Sequence, residues 1–136
     1  MGGVYLVGYI ASIGVATYLM KVTLGRLDAF QVNLLMGIAM VAVSLPAVLV
    51  VDRRVAIPRG QLGIGSAVAI LMAVGSILYA LALQRLPAGP AAAIATAYVV
   101  VVVVLSASFL HEPIDALTVV GLVLTLSGVA VLSLRA

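Results

Sequence analysis

Charge is scarce in this sequence, and cysteine is missing altogether. The 136 residues include seven basic and four acidic side chains and no cysteine. Without cysteine there can be no disulfide and no thiolate metal site. The basic residues are scattered over predicted turns and form no stripe, which argues against a nucleic-acid partner. Because glycine-rich phosphate loops, nucleophile elbows and paired carboxylates do not occur either, we expect neither an enzyme nor a cofactor.

Long apolar runs fill the space between the charges. Charge-free stretches cover residues 1–20, 29–51, 60–84, 86–111 and 116–134, hydrophobic residues make up 65% of the chain, and the mean hydropathy is +1.38. A helix that rises about 1.5 Å per residue needs about twenty residues to cross a hydrocarbon core of about 30 Å. We therefore predict an all-α integral membrane protein with five transmembrane helices, at about residues 4–23, 30–51, 61–84, 91–110 and 116–134.

Two other architectures fit this pattern less well. A soluble helix bundle needs polar outer faces, whereas these helices are apolar all round. A transmembrane barrel needs strands that alternate apolar and polar residues over about ten positions. The β-branched run Val99 to Val104 would suit a strand, but it lies inside a much longer apolar run typical of a helix. Since no linker divides the chain, we predict a single domain over residues 1–136, with a kink at Pro46.

The distribution of basic residues encodes orientation only weakly. Five spans divide these residues three to four between the two sides of the membrane: Arg53, Arg54 and Arg59 against Lys21, Arg26, Arg85 and Arg135. Orientation normally follows from a clear excess of Lys and Arg on the cytoplasmic side. Either a partner or details of the turns orient the protein, or copies insert both ways and pair antiparallel.

Small residues mark a candidate contact surface on the last helix. Gly121 and Gly128 lie seven residues apart on one face, and Thr118 and Thr125 fall on the same stripe. In lipid, close approach at small side chains favours helix association. The stripe therefore predicts a dimer interface at Gly121 and Gly128, with ordinary packing inside the chain as the alternative.

Polar side chains inside the spans are candidates for a substrate path. Lys21, one turn after Thr17, is the deepest charge, and it either snorkels to the interface or faces a cavity and binds an anionic group. Buried tyrosines need hydroxyl partners, which a cavity or another helix can supply. We predict that five side chains converge on a central cavity: Ser12, Thr17, Lys21, Tyr79 and Tyr98. His111 beside Glu112 is a weak signal for a metal or a proton relay, so we expect no metal site and a structural role for Glu112.

Several short motifs together resemble a known family of membrane transporters. They are Gly14–Lys21, Leu27–Ala29, Asn33–Leu35, Leu81–Gly89, Phe109–Pro113, Val120–Gly121 and Leu126–Val129. Over nearly the whole chain this pattern resembles EamA-type members of the drug/metabolite transporter superfamily. Its end, with the glycine pair on the last helix, is similar to that of small multidrug resistance proteins.

The resemblance implies alternating access, with helices one, three and four lining the path. Most EamA-type transporters resemble two five-helix halves in inverted orientation, and inverted repeats form the substrate site at their interface. One half therefore implies an antiparallel homodimer, or a complex with a sister half, in a prokaryotic cytoplasmic membrane. Small multidrug resistance proteins carry a helix-one glutamate that binds cation and proton. Because Ser12-Ile13-Gly14 stands there in this chain, we expect a polar or anionic metabolite rather than a cationic drug.

These observations predict a small-metabolite transporter that works by alternating access as an antiparallel, dual-topology homodimer. One alternative is a flippase subunit for a lipid-linked sugar, which His111-Glu112-Pro113 suggests. The other is a non-transporting membrane assembly subunit. That alternative predicts no solvent-accessible cavity between helices one, three and four.

Overall fold

The structure, a computed structural model, describes residues 2–51 and 57–134, and all regular secondary structure in them is helical. The helices are α1 (Gly2–Thr23), α2 (Ala29–Val51), α3 (Arg59–Arg85), α4 (Ala88–Ala95), α5 (Tyr98–Leu105) and α6 (Ala116–Ser133), and a π-helical turn (Ser106–Leu110) follows α5. Because α4, α5 and the π-helical turn form one span, Ala88–Leu110, five segments are long and apolar enough to cross a membrane. The prediction of an all-α protein with five spans is confirmed. Arg53, Arg54 and Arg135, which enter the count of basic residues, lie outside the described residues.

Two of the four acidic residues begin helices. The Gln31 backbone N–H donates to Asp28 Oδ1 at 2.8 Å, and the Asp28 N–H donates to Gln31 Oε1 at 3.1 Å. This reciprocal pair is a capping box, which satisfies amide groups at the helix start that have no partner inside the helix. Asp115 begins α6 in a similar way, since it accepts hydrogen bonds from the Thr118 N–H at 2.7 Å and the Thr118 hydroxyl at 2.5 Å.

Asp115 is held in its charged form by these two bonds. The side-chain hydrogen bond from Thr118, and then its backbone N–H, lower the pKa of the Asp115 carboxyl below its ordinary value. A carboxylate at a helix N-terminus also interacts favourably with the helix dipole. Asp115, which lies between the fourth and fifth spans, therefore serves to start the last helix.

The fourth span is not one uninterrupted α-helix. It begins at Ala88, three residues before the predicted start, because Pro87 takes the position before the first helical residue and Pro90 fits the first turn, where no amide donor is needed. Near the middle, the N–H groups of Ala97 and Val99 bond carbonyls three residues back, at 3.1 and 3.0 Å. Such bonds tighten the helix locally. The Thr96 hydroxyl, which donates to the Ala93 carbonyl at 2.6 Å, accompanies this tightening.

The fourth span ends in a wide turn. The His111 N–H donates to the Ser106 carbonyl, and the Glu112 N–H donates to the same oxygen at 3.3 Å. His111 closes the turn in the left-handed conformation, with φ of 54°. Histidine is among the residues that adopt this conformation more often than most. The role that the structure shows for His111 is therefore to end the span.

Contacts between Cα atoms divide the chain into two compact units, one ending at Gln84 and the other beginning at Arg85. In the first unit, Ala29 and Val32 at the start of α2, and Ala80 and Leu83 near the end of α3, are almost fully buried. The predicted kink at Pro46 stays a prediction; α2 continues through that residue. In the second unit, α4 packs against α6, and Ala91 of α4 is buried. The single domain over residues 1–136 stays a prediction.

Most large apolar side chains of the described residues face outward. Val50 is 78% exposed and Leu71 is 71% exposed, and the buried share of each candidate span is 11% or less. In water so much apolar surface would be unfavourable, whereas lipid tails are as apolar as these side chains. The outward-facing surface is therefore suited to lipid or to another membrane helix.

Candidate substrate path

Lys21 is bound to the end of a different helix. It lies in the last turn of α1, is half-buried, and donates a hydrogen bond from Nζ to the Leu83 carbonyl of α3. In an α-helix that carbonyl would accept from the amide four residues later, but residue 87 is proline and has no N–H. The ammonium of Lys21 supplies a donor in place of the amide that residue 87 lacks.

Tyr79 lies near the part of α3 that Lys21 reaches. Tyr79 precedes Leu83 by one turn and is half-buried, whereas Ala80 and Leu83 are 0% exposed. Thr17 precedes Lys21 by one turn on α1 and is half-buried as well. Lys21 therefore contacts the last turns of α3, one turn from Tyr79; the convergence of these side chains stays a prediction.

Ser12 and Tyr98, the other two predicted path residues, have exposed side chains in the monomer. Ser12 is exposed on α1, and Tyr98, the first residue of α5, is 61% exposed. Tyr98 belongs to the second unit, while the other four predicted residues belong to the first. That all five side chains line one cavity stays a prediction.

A polar pair that the sequence reasoning missed joins α2 to α3. The Ser76 hydroxyl lies 2.5 Å from Asn33 Oδ1, and Asn33 Nδ2 donates to the Ala29 carbonyl at 2.8 Å. The Asn33 amide nitrogen also lies 3.5 Å from the Ser76 carbonyl. Polar side chains of this type form hydrogen bonds between transmembrane helices.

The missed pair had a signal in the sequence. Asn33 is an amide side chain in an apolar span, and a polar group transferred from water to an apolar environment is costly unless it is hydrogen-bonded. The span sequence therefore required a partner for Asn33. Which of the serines and threonines would provide it could not be read from spacing along the chain.

The glycine stripe on α6 faces open space. A Cβ atom added at Gly121 or Gly128 would meet nothing within 4 Å among the described residues. The Thr125 hydroxyl donates to the Gly121 carbonyl of its own helix at 2.8 Å, and the Thr118 hydroxyl donates to Asp115. The side chains of the stripe therefore satisfy their polar groups locally and leave a smooth surface. That Gly121 and Gly128 form a dimer interface stays a prediction, and so does its alternative, packing inside the chain.

Metal-ligating side chains are not grouped in the described residues. No three of His, Asp, Glu or Cys lie close enough together there to hold a metal ion. His111 and Glu112 lie beside each other at the end of the fourth span, where their backbone amides close the π-helical turn.

Five apolar spans, separated by short segments of sequence and joined inside the first unit by polar contacts, define a multi-pass integral membrane protein. Comparison with protein families identifies its kind more closely. The model of the EamA-like transporter family matches residues 1–134, and the chain belongs to that family. Five spans fit a half-length member of this family. Neither a search of curated proteins nor a search of solved structures found a match.

Proposed function

We propose that this protein transports a small polar or anionic metabolite by alternating access, as an antiparallel, dual-topology homodimer in a prokaryotic cytoplasmic membrane. Membership of the EamA-like family makes it a transporter of the drug/metabolite superfamily. The observation that carries the more specific proposal is the position of Lys21, a half-buried cation that reaches from α1 to the Tyr79-bearing end of α3.

The chemistry of the path favours an anionic or polar substrate. Ionisable groups inside membrane spans usually mark substrate or ion pathways. Lys21 is the only charge deep in α1, and the position at which small multidrug resistance proteins carry an acid is occupied by Ser12-Ile13-Gly14. An ammonium group has three donor hydrogens. It can therefore keep its bond to the Leu83 carbonyl and still bind an acidic group of a substrate.

Pairing of two copies is supported by α6 and by the charge distribution. Gly121 and Gly128 leave an open, smooth surface, which permits close approach of a second helix. The three-to-four division of basic residues favours neither orientation. An antiparallel pair would restore the inverted-repeat arrangement in which transporters of this kind form their substrate site. A sister half-transporter could supply the second half in the same way.

Alternating access also needs some transmembrane helices to move relative to others. Within the second unit, α4 packs against α6, while the tightened turn at Thr96 and Ala97 separates α4 from α5. A break in a membrane helix is a common feature of transporter spans. This interruption supports the proposal of a path that opens first on one side and then on the other.

Labelling of single cysteines tests the proposed path, since the natural chain has no cysteine to remove. Thr17→Cys and Tyr98→Cys should react with a water-soluble, membrane-impermeant thiol reagent, because both positions would line a hydrated cavity. Val102→Cys, on α5, is the control that should stay unreactive in lipid. Protection of all three positions would contradict the cavity and favour the non-transporting assembly subunit.

The two alternatives differ from the proposal in what they move. A flippase subunit for a lipid-linked sugar would need a path open to lipid along its side, and labelling of Thr17→Cys would then fall when a lipid-linked sugar is added. A metabolite transporter would show the same protection with a small water-soluble anion instead. His111-Glu112-Pro113 is the feature that keeps the flippase under consideration.

A further inference from the structure

The Leu83 carbonyl has lost the donor that a continuing helix would give it. α3 ends at Arg85, and the amide four residues beyond Leu83 would be that of Pro87, which has no hydrogen. Leu83 itself is 0% exposed, so water has little access to replace the missing donor. An unpaired buried carbonyl is costly, and native structures almost always pair such a group.

Lys21 provides the missing donor from another helix. Its Nζ donates to the Leu83 carbonyl across 62 positions of sequence. A cation at a helix C-terminus is favourable because the partial charge there is negative. A hydrogen bond in a region of low dielectric constant is also stronger than the same bond in water.

Tyr79 lies one turn before Leu83 on the same helix, and Ala80 beside it is 0% exposed. We infer that Lys21 is a positioning residue, which fastens the C-terminal end of α3 to the C-terminal end of α1 and so sets where Tyr79 lies. The statement that Tyr79 belongs to a substrate path rests on the proposed function. The inference that Lys21 holds the end of α3 does not depend on that function.

The fastening can be measured without a transport assay. Ala80→Cys places a thiol in the buried end of α3, and Ala91→Cys, an equivalent change at a position 4% exposed in α4, is the matched control in the other unit. Each cysteine is combined with Lys21→Met, which keeps the stem and removes the ammonium, and with Lys21→Arg, which keeps a charged donor. The readout is the rate of modification by a membrane-impermeant maleimide in proteoliposomes.

We expect Lys21→Met to raise the reaction rate of the cysteine at position 80 about tenfold, the effect of losing one hydrogen bond to a charged group. Lys21→Arg should keep that rate within about twofold of the original, because the guanidinium can still donate to the carbonyl. The cysteine at position 91 should keep its rate in both backgrounds. This pattern would establish a local role for Lys21 at the end of α3.

Three results would overturn the inference. An unchanged rate at position 80 in Lys21→Met would show that the ammonium does not hold α3. Equal increases at positions 80 and 91 would show a general loss of structure. If Ala80→Cys is unstable, Leu83→Cys takes its place, because that position is also 0% exposed. A high reaction rate of the cysteine at position 83 in the protein that keeps Lys21 would show that the end of α3 is not fastened.

Discussion

The hydrogen bond between Asn33 and Ser76 predicts a measurable coupling between α2 and α3. The perturbations are Asn33→Leu, which is close in size to asparagine, and Ser76→Ala, made singly and together. The two polar atoms lie 2.5 Å apart, and both residues are half-buried. Hydrogen bonds between membrane helices contribute about 0.6 kcal/mol on average and at most about 1.7 kcal/mol. Because this bond is short, we expect a coupling free energy of about 1 kcal/mol.

The two single variants should not cost the same. When Asn33 is replaced, the Ser76 hydroxyl can still donate to the Ala73 carbonyl of its own helix, which lies 2.9 Å away. When Ser76 is replaced, Asn33 Oδ1 loses its hydroxyl donor, while Asn33 Nδ2 keeps the Ala29 carbonyl. Because an acceptor left unpaired away from water is costly, Ser76→Ala should destabilise by more than the coupling free energy alone.

Reversible unfolding in mixed micelles by increasing the fraction of SDS measures these free energies. The coupling is the free-energy change of the double variant minus the sum of the two single changes. Ser44→Ala is the matched control, because the Ser44 hydroxyl of α2 donates only within its own helix, to Met40. The free-energy changes of Ser44→Ala and Asn33→Leu should add in the double variant to within about 0.3–0.5 kcal/mol. A coupling between Asn33 and Ser76 no larger than that of the control pair would refute the reasoning.

Two further predictions concern pairing and orientation. Gly121→Leu and Gly128→Leu should each lower the yield of dimer in cysteine cross-linking along α6, because a large side chain prevents close approach of two helices. The control is Gly63→Leu, at a glycine of α3 that also has open space beside it, and it should leave the yield unchanged. Equal yields in all three variants would show that the dimer interface does not lie on α6. A reporter fused after the last helix should appear on both sides of the membrane, and two lysines added beside Arg59 should shift it to one side. If the natural protein takes a single orientation without a partner protein, the prediction of dual topology is wrong.

The number of spans could be predicted from the sequence because lipid imposes a length and an all-round apolar surface. No tertiary contact is needed to satisfy the backbone of such a helix, so the observed bounds follow the apolar runs closely, as in Ala116–Ser133 against the predicted residues 116–134. The irregularity of the fourth span was not predicted. Hydropathy does not reveal this irregularity, since Thr96 and the valines that follow are all compatible with an ordinary membrane helix.

The candidate site was predicted less completely than the spans. The sequence by itself marked Lys21 and Tyr79 as polar groups within membrane helices, and it marked the glycines of the last span as a smooth face. It also contained the cause of one contact, because a proline four residues after Leu83 removes the amide that the carbonyl would normally accept from. What spacing along the chain could not show is which donor would take its place.

Only the tertiary structure decided the partners. Lys21 reaches Leu83 across 62 positions, and Asn33 reaches Ser76 across 43. Apolar side chains in lipid have no strong preference for one neighbour, because lipid tails and leucines are equally apolar. A few polar groups therefore select which helices meet and in which register. The sequence determines that such groups need partners, and the packing of α1, α2 and α3 determines which partners they find.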